Sequence, residues 1–261
     1  MMSFVEIYLY GFLIIMILMT ILWLVSISIK NASIVDPFWG IAFVFAAVWY
    51  YFQTDGLEIR KIILTTLVFI WGMRLSFFLG WRNLGKEEDF RYQKFRKDYG
   101  EHRYWWISFF QVFLLQGILA WLISAPLLAA QYFSGTENLN FFDYAAITVW
   151  IIGFTFEAGG DYQMTVFKSN PANKGKILNT GFWKYTRHPN YFGDSTVWWA
   201  YGLFSVASGS YFPVLGSLLM TLLIIKVSGV ALLERSLKYT KPEYKDYIEK
   251  TSAFVPWFPK K

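Results

Sequence analysis

Gly181-Phe-Trp-Lys-Tyr-Thr-Arg-His-Pro-Asn-Tyr-Phe-Gly-Asp194 runs straight into the apolar Ser195-Thr-Val-Trp-Trp-Ala-Tyr-Gly-Leu-Phe204. Cations, hydrogen-bonding aromatics, a histidine and a proline-marked helix start thus stand at the mouth of a membrane-type segment. The 261 residues around it are 56% hydrophobic and 21% aromatic, with a mean hydropathy of +0.36. Such a chain is an integral membrane protein, not a soluble domain. Cysteine is absent and His102 and His188 are the two histidines, so disulfides, thiolate chemistry and a zinc site are not expected. The net charge of +6 comes without a nucleic-acid motif, and no nucleic-acid partner is expected.

A helix crossing about 30 Å of hydrocarbon needs roughly 20 apolar residues, and the runs predict an all-α, polytopic protein with seven spans. They are Phe4–Ile29, a run from Val35-Asp-Pro-Phe-Trp-Gly40 to about Phe52, Ile59 to Leu84, Ile107 to Tyr132 interrupted at Pro126, Phe142 to Phe167, Tyr191 to Ser208 and Phe212 to Leu233. The first lacks a basic leader and a cleavage site and reads as an anchor. Between Gly85 and Tyr104 the charged chain carries Tyr92, Phe95 and Tyr99 at helical spacing, as in an amphipathic helix on the headgroups. Neither repeats nor linkers divide the chain, so residues 1–261 read as one membrane domain. Lys30, seven basic residues from Arg82 to Arg103, five from Lys168 to Arg187 and seven from Arg235 onward put 20 of the 24 on one face. That bias predicts the N-terminus outside and the C-terminus in the cytoplasm.

The chemistry concentrates between Glu157 and Glu234. Phosphate recognition calls for cations, turn N–H groups and a helix N-terminus. Lys168, the Asn173-Lys174-Gly turn, Arg187 and the helix start at Pro189 offer all three. Lipid headgroups would satisfy the same cations. Asp194, about one turn inside its helix, should accept from a ligand or pair with Arg74 or Lys226. His188 suits ligand binding, helix capping or proton shuttling. Asp36 and Arg74, within apolar runs of adjacent helices, are expected to pair.

Asp161-Tyr-Gln, Pro171-Ala-Asn-Lys-Gly175, Arg187-His-Pro-Asn-Tyr-Phe-Gly-Asp194 and Thr251-Ser-Ala-Phe-Val-Pro-Trp257 resemble an uncharacterised bacterial family of membrane proteins in the steroid 5-alpha-reductase superfamily. Val35–Gly40, Trp71-Gly-Met-Arg74 and Gln111-Val-Phe-Leu-Leu-Gln-Gly117 extend the likeness over nearly the whole chain. The resemblance implies seven helices, a bacterial inner-membrane location and NADPH held on the cytoplasmic side. It also implies reduction of a carbon–carbon double bond in a hydrophobic steroid-like or lipid enone. It places Asp161, Lys168, Asn190, Tyr191 and Asp194 at cofactor contacts, joining Asn173, Lys174, Arg187 and His188. Lys168 stands where those enzymes have arginine, and Asp194 where they have glutamate. Their Gln-Glu pair and substrate-polarising Tyr have no counterpart here: Gln53 precedes Thr54, and no Tyr lies between Ile59 and Leu84. Arg74 and Tyr191 remain as candidate catalytic donors. The Arg187-His-Pro-x-Tyr191 core is also shared with isoprenylcysteine-type and phospholipid methyltransferases, for which S-adenosylmethionine would be the cofactor. A non-catalytic lipid-binding relative is the third expectation.

Overall fold

A computed structural model of the chain describes residues 2–230, 234 and 244–260. Among them all regular structure is helical. The helices gather into two compact units, one formed by Met1–Leu139 with Ala207–Ser210 and the other by Asn140–Val206 with Tyr211–Lys261.

In the first unit α1 (Phe4–Ile29) starts at a capping box, Ser3 accepting from Glu6 N and Glu6 reaching back to Ser3 N. Leu9, Leu13, Ile17, Ile21 and Leu24 form an exposed apolar stripe along it, as a lipid-facing helix requires. Helices α2 (Val35–Gln53) and α3 (Glu58–Asn83) cross at Gly40 and Gly72. A Cβ on Gly40 would stand 2.3 Å from the Gly72 carbonyl oxygen, so only a side chain of hydrogen permits this approach.

After α4 (Phe90–Tyr99) and α5 (Glu101–Ser108), the chain passes through a π-turn, Phe109–Leu114, into α6 (Leu115–Ile123) and α7 (Ala125–Tyr132). Pro126 has no N–H for the Leu122 carbonyl. Tyr8 Oη compensates, donating at 2.9 Å to Trp121 O and 3.5 Å to Leu122 O. The helix expected between Gly85 and Tyr104 is present as α4, with Tyr92 buried.

One expectation is corrected here. Arg91 Nη2 and Tyr92 Oη donate to the two oxygens of Asp36, at 2.9 and 2.7 Å, so Asp36 ties α4 to the start of α2 and its partner is not Arg74. Arg74 places its guanidinium 5.2 Å from the Phe78 ring centre. Arg60 is fully buried and donates to the carbonyls of Ser134 and Ala207, while Lys61 donates to Thr54 O and Glu58.

The second unit comprises α8 (Phe141–Ser169), short 3-10 turns at Pro171–Asn173 and Gly181–Lys184, α9 (Pro189–Ala207), α10 (Leu215–Leu222) with a π-turn Leu223–Ser228, and α11 (Tyr244–Lys250). Among the described residues five helical spans are long and apolar enough to cross a membrane: Phe4–Ile29, Ala32–Gln53, Glu58–Asn83, Glu101–Tyr132 and Phe141–Ser169. The chain is an integral membrane protein. The sixth and seventh expected runs fall on α9 and on the shorter apolar helix Phe212–Val227, which are not among those five; the end of the seventh lies outside the described residues.

Candidate functional site

The start of α9 and the segment before it are set on the glycines of α8. A Cβ on Gly193 of α9 would stand 2.3 Å from Glu157 N and 2.5 Å from Gly153 O, and one on Gly153 would stand 2.7 Å from Val197 N. Backbone therefore lies on backbone, and no side chain fits between the two helices. One turn further along, Gly160 faces Pro189 and Asn190. This approach sets Asn190 Nδ2 3.1 Å from Asp161 Oδ1, so Asp161, nearly buried, meets the first turn of α9.

The segment before α9 is fixed to the same helix. Gly181 turns at φ 60°, and a Cβ there would strike the Gln163 amide, whose Oε1 accepts from Phe182 N at 3.0 Å. Trp183 Nε1 donates to Gly160 O at 3.1 Å, and the Phe182 ring fills the space over Gly159.

The tail closes the other side. Tyr247 Oη donates to Trp183 O, Arg187 N to Ser252 O at 2.9 Å, and Trp257 N to Tyr185 O at 2.9 Å; Thr186 Oγ1 donates to Phe254 O at 2.8 Å. Arg187 itself is 6% exposed. Its Nε and Nη2 donate to Glu234 Oε1 at 2.8 and 2.5 Å, and its Nη1 to the carbonyls of Ile248 and Thr251 at 3.0 and 2.5 Å. Four of the five guanidinium donors are thus used by the protein. Arg187, expected from the sequence to grip a phosphate, bolts the α9 start to the tail in this structure. Burial alone would raise the Glu234 carboxyl, but hydrogen bonds from His188 and Arg187 and the guanidinium charge hold it below its ordinary value of 4.5.

His188 is 1% exposed. Its Nε2 lies 3.3 Å from Glu234 Oε1, and its ring stacks on Tyr191 at 5.7 Å between centres. Tyr191 in turn packs against Gly229. His188 Nδ1 and Asn190 Oδ1 are both buried without a hydrogen-bond partner among the described residues. Asp194 is half-buried one turn further into α9.

The remaining expected residues lie toward the end of α8. Lys168 and Lys174 are exposed, whereas Asn173 is half-buried and donates through Nδ2 to Phe167 O at 2.9 Å, so its amide closes the helix end. Tyr162, Gln163, Phe167, Asn170, Asn173 and Thr180 line a groove of about 540 Å³ there. A second, apolar groove of about 530 Å³ runs between Trp199, Tyr211, Phe212 and Leu218. Trp198 is fully buried against Tyr201. The structure thus brings together Asp161 with Asn190, and Arg187 and His188 with Glu234. The carbonyls of Ile248, Thr251 and Ser252 were not legible as partners of Arg187 in the sequence, because a backbone acceptor leaves no mark in residue identity.

The chain is 26% identical over 277 residues to the uncharacterized protein C594.04c of Schizosaccharomyces pombe, covering 94% of this chain and 78% of that one. It is 30% identical over 107 residues to the Delta(14)-sterol reductase of Ascobolus immersus, a match spanning 35% of this chain and 25% of the reductase. Both relatives are fungal, so the similarity is not confined to bacteria. No solved structure matches the chain. The family model "Protein of unknown function (DUF1295)" matches residues 22–251. The chain belongs to that family, which is part of the steroid 5-alpha-reductase-like group.

Proposed function

We propose that this protein is a membrane-embedded reductase that binds NADPH on its second unit and reduces a carbon–carbon double bond of a hydrophobic, lipid-like enone. The observation that carries the reading is the glycine-backed crossing of α8 and α9. It holds Asp161, His188, Asn190 and Asp194 in and beside one helix start, with buried acceptors at His188 Nδ1 and Asn190 Oδ1. Unsatisfied buried acceptors are costly unless a ligand donates to them, and an extended nucleotide carries amide, amino and hydroxyl donors. Lys168 and Lys174, chain neighbours of the groove residues Phe167 and Asn173, are cations placed to meet its phosphates. Bound there, NADPH supplies the hydride. The protein must supply orientation, exclusion of water and a donor for the oxyanion that develops on the enone; Tyr191 and Arg74 are the candidates. The similarity to a sterol reductase supports the same class of reaction.

The test is titration of the detergent-solubilised protein with NADPH, NADH and S-adenosylmethionine. Saturable NADPH binding, weakened about tenfold by Lys168→Ala through loss of a charge-assisted phosphate contact, is the expected result. Binding of S-adenosylmethionine in its place would turn the assignment to a methyltransferase. Nucleotide binding without turnover on any enone would leave a non-catalytic relative.

Seven spans, with the N-terminus outside and the nucleotide side in the cytoplasm, belong to this proposal. The 20 basic residues on one face support that orientation, and on the other face Arg60 and Lys61 are buried against carbonyls. Reporter fusions after residue 95 and at the C-terminus should both give cytoplasmic signals; an outer-face signal from either removes the seven-span arrangement.

A further inference from the structure

Four groups meet at the start of α9, and one of them governs another. Glu234 Oε1 accepts from Arg187 and lies 3.3 Å from His188 Nε2. A carboxylate oxygen can only accept, so in the neutral imidazole the proton sits on Nε2 and Nδ1 carries a bare lone pair. The ring cannot turn over to exchange the two nitrogens freely, since Tyr191 stacks on its face and the residue is 99% enclosed. Among the described residues Nδ1 is buried without a partner, and so is Asn190 Oδ1 two residues on, where Nδ2 is already given to Asp161. Within one turn the protein thus presents two acceptors. Such a pair repels a phosphate and attracts an N–H donor.

We infer that Glu234 is a positioning residue that locks His188 in the Nε2–H tautomer, so that His188 Nδ1 and Asn190 Oδ1 select the ligand through a primary amide or amino group and not through its phosphates. This rests on the nucleotide reading above and sharpens it. NADPH carries two groups of that kind, the nicotinamide carboxamide and the adenine amino group, and the experiment tells them apart.

With His102→Gln, at an exposed position, His188 is the sole histidine, so its ring nitrogens can be read by histidine-selective ¹⁵N NMR in detergent. The expected spectrum has Nε2 protonated and Nδ1 bare. In Glu234→Gln the amide can donate to Nε2, and a second population protonated at Nδ1 should appear. A merely structural glutamate would not move that ratio. In parallel, the wild type and His188→Gln are titrated with NADPH, its 3-acetylpyridine analogue, which lacks the carboxamide NH₂, and its hypoxanthine analogue, which lacks the adenine NH₂. One analogue should bind the wild type about tenfold more weakly than NADPH, as loss of one well-made hydrogen bond implies, and which analogue does so identifies the group. His188→Gln keeps a donor for Glu234 and removes the Nδ1 acceptor but leaves Asn190 Oδ1, so its melting point should hold while the analogue discrimination falls.

A wild-type spectrum with Nδ1 protonated, or an unchanged spectrum in Glu234→Gln, overturns the tautomer lock. Equal binding of all three nucleotides to the wild type, or undiminished discrimination in His188→Gln, overturns the donor selection. If NADPH itself fails to bind, the nucleotide reading falls and the donor selection with it, while the spectrum still decides the tautomer on its own.

Discussion

Arg187→Ala should lower the stability of the detergent-solubilised protein by about 3 to 5 kcal/mol, the range for removing one partner of a buried ion pair. The change strips Glu234 of two charge-assisted hydrogen bonds and leaves the carbonyls of Ile248 and Thr251 without their donor. The strap in which Arg187 N, Thr186 and Tyr185 hold residues 252–257 keeps its own hydrogen bonds but loses the side-chain anchor beside it. Arg187→Lys should recover only part of the loss, because an ammonium cannot reach a carboxylate and two carbonyls from one planar fork. Removing Glu234 as well should cost less than the sum of the two single changes, since no charge is then stranded. Thermal melts and limited proteolysis of the tail measure all three. Arg187→Ala melting like the wild type while binding NADPH more weakly would restore the phosphate-gripping role expected from sequence and remove the structural one.

The same bolt sets an acid limit. The folded Glu234 carboxyl titrates below its ordinary value of 4.5, so its stabilisation is complete above that value and lost as the pH falls through the lower, folded one. Tail cleavage by an acid-tolerant protease should therefore rise only below pH 4.5, and a flat profile down to that protease's acid limit would exclude the linkage.

Gly193→Ala carries the second large effect. A single methyl there would meet Glu157 N and Gly153 O, both main-chain atoms of a 29-residue helix, and neither can yield as a side chain would. Overpacking costs about 1 to 3 kcal/mol and more where backbone must move, so a loss at or above about 3 kcal/mol is expected. Separation of α8 from α9 would also part Asp161 from Asn190, and nucleotide binding should fall with stability. Gly80→Ala is the comparison within the same chain: nothing lies within 4 Å of the added atom, and replacing a mid-helix glycine should be neutral or stabilise by up to about 1 kcal/mol. Equal melting points for the two variants would mean that the crossing is loose and does not place the site.

Apolar run length and local caps made much of the helical framework legible. The first helix spans Phe4–Ile29 in both the sequence reading and the structure, because an uninterrupted apolar run and the Ser3–Glu6 capping box are local properties. The third and fifth runs differ from α3 and α8 by a residue or two at each end, and Pro126 marked a break that the chain does make. The Arg-His-Pro-Asn motif likewise pointed to the α9 start, since proline at a first helical position is a signal within four residues. Pairing was another matter. Asp36 and Arg74 look matched when adjacent helices are laid side by side, yet Arg91 and Tyr92 come back from α4 to take Asp36. Arg187 has the chemistry of a phosphate ligand, and its hydrogen bonds to Glu234 and two tail carbonyls reach residues some 47 to 64 positions away. Residue types fixed the helices and the kind of chemistry at hand. Only the tertiary structure decided which donors are already used and which acceptors stay bare, because that depends on backbone groups every residue carries and on the close approach that glycine permits.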